Sequence, residues 1–240
     1  MANSTYADRT SAVILAGGQG TRLRSVVADR QKVVSLVDER PFLTFLLQKV
    51  YDSGIDEIVL ACGHLAETVR DALKDFPGLK YSVESEPLGT GGALLQALQQ
   101  SDADRLLVMN GDSFLDLALE KFLRWFEQLS APAAMVLTKV DDVSRYGQVS
   151  LEGGLIQSFQ EKQASSGAGW INAGIYCFER KVLLSSPWNG KFSLERDLFP
   201  VLVARKQLAG FPYEGYFIDI GTPETWQQAQ QYFRCLKNGS

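Results

Sequence analysis

The sequence predicts an α/β fold in three layers, with helices on both faces of a mostly parallel sheet. Two observations lead to this prediction. Short apolar runs alternate with helical patterns through about residue 140, which is typical of βαβ units. After residue 145 the pattern changes to a β-hairpin and further strands. We therefore expect an extended or disordered tail at 1–10 and a single domain at 11–240, with halves at 11–140 and 141–240.

The first half reads as strands that alternate with helices. Pro41 suits a first helical turn and Gly54 a helix end, which bounds the first helix. The expected strands are at 11–16, 56–61, 80–84, 105–110 and 133–140, and the helices between them at 41–54, 64–76, 91–100 and 117–129. Because helical crossovers join parallel strands, the carboxyl ends of these strands should meet at one edge of the sheet.

The second half is expected to contain a small hairpin subregion. Residues 146–162 alternate in polarity around Gly153 and Gly154, which predicts a hairpin turn. A strand at 171–179 and a helix at 193–206, capped by Ser193, should follow. The last stretch, 216–237, reads as a strand, a turn and a helix.

Composition narrows the class of protein. Of 240 residues, 45% are hydrophobic and 22% charged, enough for an ample core, and the net charge of −4 disfavours nucleic acid and anionic membranes as partners. Three cysteines without a CxxC pair argue against disulfides, and Cys62 and Cys177 should be buried thiols. The polar start and the lack of an 18-residue apolar run predict a cytoplasmic protein. His64, the only histidine, is interpreted as structural.

The loop after the first strand, VILAGGQGTRLR at 13–24, has the character of a phosphate site. Its glycines let backbone N–H groups approach phosphate oxygens, and Arg22 and Arg24 can add charge-assisted contacts. A Walker A loop would need Gly-Lys followed by Ser or Thr, and the dinucleotide fingerprint would need glycine where Leu23 stands. From spacing alone, a glycine turn with two solvated arginines remains an alternative.

An ordered set of motifs resembles the sugar-1-phosphate nucleotidyltransferases across residues 11–235. The set comprises GGQGTRL, Lys32, EPLGTGGAL (86–94), NGD (110–112), RYG (145–147), FQEK (159–162), NAGIY (172–176) and DIGTPETW (219–226). The resemblance implies a Rossmann-like, GT-A-like fold whose first half binds a nucleoside triphosphate and whose second half binds a sugar 1-phosphate. The implied reaction joins these two partners and releases pyrophosphate, and a homo-oligomer is compatible with it. Gln31 and Gln163 stand where the family usually has proline.

The resemblance also implies roles for individual residues. Arg22 and Lys32 would be catalytic, and Asp112 and Asp219 would hold Mg²⁺. The nucleotide would contact Leu15, Ala16, Gly17, Gly18, Gly20, Thr21, Glu84, Glu86, Gly89, Thr90 and Gly91, and the sugar phosphate would contact Tyr146, Gly147, Glu161, Lys162 and Asn172. The structural alternatives are a surface lysine for Lys32, a helix cap for Asp112 and a turn cap for Asp219. Trp226 would line the pocket or belong to the core.

The base preference is predicted from Glu84, which the resemblance places at the edge of the base. Guanine offers two adjacent donors that one carboxylate can accept, whereas uracil and thymine offer one N–H between two carbonyls. The expected function is therefore transfer of GMP from GTP to mannose or manno-heptose 1-phosphate, and the compact chain looks more like the heptose branch. The alternatives are a uridylyl- or thymidylyltransferase acting on a hexose 1-phosphate, a non-catalytic regulatory subunit, and a molybdopterin guanylyltransferase.

Overall fold

The structure, a computed structural model, describes residues 6–18, 32–63, 65–160, 167–185 and 187–238. Its strands are β1 (Thr10–Leu15), β2 (Leu36–Val37), β3 (Arg40–Pro41), β4 (Ile58–Cys62), β5 (Leu79–Val83), β6 (Arg105–Asn110), β7 (Ser113–Leu115), β8 (Ala133–Val140), β9 (Gln148–Glu152), β10 (Leu155–Gln160), β11 (Gly169–Glu179), β12 (Leu208–Pro212) and β13 (Phe217–Asp219). Its helices are α1 (Phe42–Asp52), α2 (Ala66–Ala72), α3 (Gly89–Ala97), α4 (Leu119–Phe126), α5 (Arg180–Leu184), α6 (Phe199–Ala204) and α7 (Pro223–Asn238). Single turns of 3₁₀ helix lie at Tyr6–Arg9, Lys32–Val34 and Leu98–Gln100, and a π-helical turn lies at Leu194–Leu198.

Nine strands form the central sheet, in the order β5-β4-β1-β6-β11-β8-β12-β10-β9. The prediction of a mostly parallel sheet holds for its first part, where β5, β4, β1 and β6 run parallel, and in the rest of the sheet for the pair β8 and β12. Over the described residues of this sheet, four strand pairings are parallel and five antiparallel. The reason is that a two-residue turn forces β9 and β10 to run antiparallel, and β11 runs against β6 and β8.

Helices cover both faces of the sheet, as the three-layer prediction requires. Alternate residues of a strand point to opposite faces, so Ala12 and Ile14 of β1 join one core while Val13 joins the other. The first core includes apolar side chains of α1, α4 and α7, and the second includes those of α3 and α6. This packing confirms the predicted α/β class.

The structure confirms several predictions that were made from local sequence features. The hairpin turns at Gly153 and Gly154, whose φ values are +57° and +79°, in the region that favours glycine. Ser193 caps the next helical segment, since its hydroxyl accepts a 3.2 Å hydrogen bond from the backbone N–H of Arg196. Cys62 and Cys177 are buried, whereas Cys235 is exposed.

Other elements differ from expectation. β1 begins at Thr10, inside the expected tail, because Thr10 pairs with Arg105 of β6. The helix expected at 193–206 consists of a π turn at Leu194–Leu198 followed by α6. The helix expected at 64–76 is shorter than predicted, because only Ala66–Ala72, α2, is helical. The strand expected at 216–221 is the short β13, which pairs with β7 outside the central sheet. Strand β12 was not predicted, and His64 lies outside the described residues.

No helix within the described ranges is long and apolar enough to span a bilayer.

Candidate active site

The segments that follow four parallel strands meet at one edge of the sheet. The backbone N–H of Ala16, after β1, donates to the carbonyl of Ala61 at 2.8 Å. On the other side of β1, the N–H of Gly111 donates to the carbonyl of Leu15 at 3.0 Å. This is the carboxyl edge, where ligands bind in open α/β sheets.

The described part of the glycine loop lies open at this edge. Ala16 is 1% exposed, so only its backbone could contact a ligand, whereas Gly17 and Gly18 are exposed. A Cβ on Gly17 would lie 3.2 Å from the Gly63 nitrogen, and a Cβ on Gly18 would meet no atom within 4 Å. The rest of the loop, including the predicted contacts Gly20, Thr21 and Arg22, lies outside the described residues.

Glu84 follows β5 and faces the glycine loop. Its Oε1 would lie 3.4 Å from a Cβ on Gly17, and its Oε2 accepts a 3.1 Å hydrogen bond from the N–H of Leu88. Burial raises the pKa of the Glu84 carboxyl, and the Leu88 N–H partly offsets this shift. One carboxylate oxygen is therefore fixed by the backbone, while the other points toward the loop.

The second predicted loop, 86–91, is hydrogen-bonded to the start of the π turn and to the residues just before it. Thr90 Oγ1 donates to Glu195 Oε2 at 2.7 Å and accepts from the N–H of Leu194 at 2.9 Å. The N–H of Gly91 donates to the carbonyl of Phe192 at 3.0 Å. Gly89 has a φ of +74° with its α-carbon against the same carbonyl, which only glycine tolerates. Glu86 is exposed, and contacts from this loop to a nucleotide remain predictions.

Lys32, Asp112 and Asp219 come together although they are distant in sequence. Asp112 immediately precedes β7 and Asp219 ends β13, and the N–H of Ile220 donates to the Asp112 carbonyl at 2.9 Å. Lys32 Nζ lies 2.6 Å from Asp112 Oδ2. The Lys32 side chain is only 15% exposed, so it is not an ordinary surface lysine.

Asp219 has partners for both carboxylate oxygens. Its Oδ1 accepts a 2.8 Å hydrogen bond from the N–H of Gly221, and its Oδ2 accepts one of 2.8 Å from the Tyr146 hydroxyl. Arg145 lies 3.9 Å from Oδ2. Burial, followed by the nearby Asp219 charge, raises the pKa of Tyr146, so its phenol remains a protonated donor at neutral pH.

Asn172 and Gly147, which were predicted to contact the sugar phosphate, already form hydrogen bonds within the protein. The N–H of Asn172 donates to the Gly147 carbonyl at 3.2 Å, and Asn172 Nδ2 donates to Tyr176 Oη at 2.8 Å. Asn172 Oδ1 accepts from the N–H of Gly174 at 2.8 Å. Glu161 and Lys162, predicted to bind the sugar phosphate, lie outside the described residues. The ring of Trp226 packs against the first core.

The two aspartates have the chemistry of a partial metal site. Carboxylate oxygens suit Mg²⁺, which also keeps water and substrate phosphates as ligands. The Lys32 ammonium already stands as a cation against Asp112, so this position attracts positive charge. No cluster of three or more His, Cys, Asp or Glu side chains occurs among the residues that the structure describes. A cation here would therefore depend on the two aspartates and on ligands from substrate or water.

Sequence reasoning missed two residues that shape the site. Glu195 anchors Thr90, and the fully buried Tyr176 hydrogen-bonds with Asn172. Neither residue belongs to a loop at the carboxyl edge. For Glu195 the signal was a carboxylate in the first turn after Ser193, which is equally typical of the start of any helix. Tyr176 ends the NAGIY motif, but the motif gave it no role of its own.

A glycine loop, a part-buried lysine and two aspartates that meet at the carboxyl edge of this sheet are typical of the nucleotidyltransferase class. The chain belongs to the nucleotidyl transferase family, which matches residues 11–234.

Named relatives and a solved structure agree with this membership. The chain is 33% identical to D-glycero-alpha-D-manno-heptose 1-phosphate guanylyltransferase of Aneurinibacillus thermoaerophilus, over 92% of this chain and 96% of that protein. It is 32% identical to mannose-1-phosphate guanylyltransferase catalytic subunit beta of Drosophila pseudoobscura pseudoobscura, over 92% of this chain but 62% of that protein. The crystal structure of HddC from Yersinia pseudotuberculosis complexed with GMP-PN superposes with a TM-score of 0.80 at 34% identity, covering 93% of this chain and 99% of that one.

Proposed function

We propose that this protein transfers GMP from GTP to a sugar 1-phosphate of the manno series, either manno-heptose or mannose 1-phosphate, and releases pyrophosphate. The observation that carries this proposal is the meeting of Lys32, Asp112 and Asp219 beside the edge where Gly17 and Glu84 lie. The guanylyltransferases among its relatives and the GMP-PN complex of HddC support the choice of nucleotide.

The proposed reaction needs positioning and charge neutralisation more than proton transfer. The sugar 1-phosphate is already an anion, so no general base is required to activate it. Gly17 and Gly18 would offer backbone N–H groups to the phosphates, and Lys32 would move from Asp112 to a phosphate oxygen. Arg22 would add a second cation from the loop. Asp112 and Asp219 would hold Mg²⁺, which when bound neutralises phosphate charge.

Glu84 would select the base. Its Oε1 is available on the side of Gly17, and its Oε2 keeps a second lone pair although it accepts from Leu88. The two oxygens could then accept the N1–H and N2–H donors of guanine, provided that the carboxyl is ionised. Glu86, Gly89, Thr90 and Gly91 would complete this side of the nucleotide site.

The second half would bind the sugar phosphate. Tyr146 and Gly147 would lie along the sugar, Glu161 and Asn172 would hydrogen-bond with its hydroxyls, and Lys162 would hold its phosphate. Because Asn172 Oδ1 and Nδ2 already have protein partners, any contact from Asn172 would add to them.

A substrate screen tests the proposal. GTP, ATP, UTP and dTTP are each combined with manno-heptose, mannose and glucose 1-phosphates, and pyrophosphate release is followed. We expect the highest kcat/KM for GTP with a manno sugar. A preference for UTP or dTTP would instead support the uridylyl or thymidylyl alternative. Nucleotide binding without turnover for any pair would point to the regulatory-subunit alternative.

A further inference from the structure

Asp219 is held more firmly than a turn requires. The N–H of Gly221 is a normal turn partner for the first oxygen of an aspartate two residues earlier. The second oxygen receives the Tyr146 hydroxyl at 2.8 Å, from a segment 73 residues away in sequence. The Asp219 side chain is 19% exposed, which makes that hydrogen bond only partly accessible to competing water.

Tyr146 is itself fixed against the strand that carries Asp219. Its ring packs edge-on against Phe217 of β13, with centroids 5.7 Å apart and planes at 73°. Its backbone N–H donates to the Val143 carbonyl at 2.9 Å. Since both ring and backbone are constrained, the hydroxyl can aim at one oxygen of Asp219 without losing much side-chain entropy on contact.

Asp112 shows no comparable arrangement among the described residues. Its side-chain partner is the Lys32 ammonium, and its side chain is 42% exposed. A lysine ammonium on its flexible stem can exchange one anionic partner for another, whereas the packed Tyr146 phenol is constrained by its ring and its backbone. Of the two carboxylates, Asp219 is therefore the one whose orientation is set before any ligand arrives.

We propose that Tyr146 is a positioning residue, which orients Asp219 as a cation ligand through its hydroxyl, rather than a sugar contact. Outer hydrogen bonds to metal-ligating groups fix their orientation, and their loss typically weakens metal affinity by about 10–100-fold. This inference rests on the proposed function, because it requires Asp219 to hold a divalent cation.

The test measures Mn²⁺ binding without turnover. Free Mn²⁺ is followed by electron paramagnetic resonance as the metal is titrated into wild type, Tyr146→Phe, Asp219→Asn and Tyr51→Phe. Tyr51 is a matched control, since its hydroxyl also donates one hydrogen bond, of 2.9 Å, to the Pro77 carbonyl away from the site. KM for the sugar phosphate and melting temperatures are measured on the same proteins.

We expect Tyr146→Phe to weaken Mn²⁺ binding about tenfold, with an unchanged KM for the sugar phosphate and a melting temperature like that of Tyr51→Phe. If Tyr146→Phe binds Mn²⁺ as tightly as wild type does, the inference is overturned. If, in addition, its KM for the sugar phosphate is raised, Tyr146 is a sugar contact instead. If Asp219→Asn binds Mn²⁺ as well as wild type does, the proposed metal site itself fails, and Tyr146 loses its role with it.

Discussion

Asp112 immediately precedes β7 and Asp219 ends the neighbouring strand β13, yet the protein holds the two carboxylates in different ways. Asp112 is paired with a lysine side chain at 2.6 Å, while Asp219 is held by a backbone N–H and a packed tyrosine. The first arrangement can exchange partners, and the second is preorganised. The difference suggests that one carboxylate fixes the position of a cation while the other releases Lys32 to the substrate.

Removing either carboxylate should have the largest effect. We expect Asp112→Ala and Asp219→Ala each to lower kcat/KM by roughly 10³-fold, because metal stabilisation of phosphate charge is worth several kcal/mol. Pyrophosphate release at saturating Mg²⁺ measures this loss. Normal turnover of both variants, or of the wild type in excess chelator, would contradict the metal assignment and remove the basis of the comparison.

Lys32→Met separates the two roles that the comparison gives to this lysine. We expect kcat to fall by roughly 10²-fold, as loss of one preorganised electrostatic contact does. In the absence of nucleotide, however, Mn²⁺ should bind more tightly, because the ammonium no longer competes for Asp112. A half-exposed ion pair is worth up to about 1 kcal/mol, so the gain should be at most about fivefold.

The control for that variant is Lys49→Met, whose ammonium lies 3.5 Å from Asp116 in a separate ion pair. It should change neither kcat nor Mn²⁺ affinity. If Lys32→Met binds Mn²⁺ no better than this control does, the lysine does not occupy the cation position.

Glu84→Gln should change base selection and leave both aspartates undisturbed. Replacing one acceptor oxygen with an NH₂ donor places that donor against a guanine N–H, whereas a uracil or thymine carbonyl would accept it. Discrimination for GTP over UTP should fall by about 1–3 kcal/mol, as for other bidentate base contacts. Steady-state kcat/KM for four nucleotides measures it, and an unchanged ranking would show that Glu84 does not read the base.

Acidification gives an independent readout of the same contact. Since burial raises the pKa of Glu84, its carboxyl takes up a proton at a higher pH than an ordinary glutamate does. Guanine preference should therefore be complete at neutral pH and decline as the pH falls through that raised pKa. In Glu84→Gln the preference should not follow pH in this range.

The first half of the fold was predictable because its signals are local. Strands β1, β4 and β6 are apolar runs separated by helical periodicity. In the second half, the Gly153–Gly154 turn was predictable for the same reason, because its positive φ values favour glycine. β12 was missed because Gly210 and Pro212 usually interrupt strands. In the structure a Cβ on Gly210 would lie 2.5 Å from Leu151 Cδ1, so a larger residue there would require that side chain to shift.

The candidate site was less accessible to sequence reasoning. The motif order predicted both aspartates, but their proximity depends on the three-residue pairing of β7 with β13, which leaves no periodicity to detect. The hydrogen bonds from Tyr146 to Asp219 and from Thr90 to Glu195 join segments 73 and 105 residues apart. Such contacts arise from tertiary packing, and no local sequence pattern predicts them.

The ion pair at Asp112 also has a consequence for electroneutrality. Asp112 and Asp219 carry two negative charges, and the cations placed against them, Lys32 and Arg145, carry two positive ones. A divalent cation alone would leave this group positive, and a triphosphate alone would leave it strongly negative. The complex of the two leaves about half the negative charge that the free triphosphate would leave, so charge balance favours a triphosphate that arrives together with its cation. Lys32→Met tips this balance by one charge, which is the physical basis for its expected uptake of the bare cation.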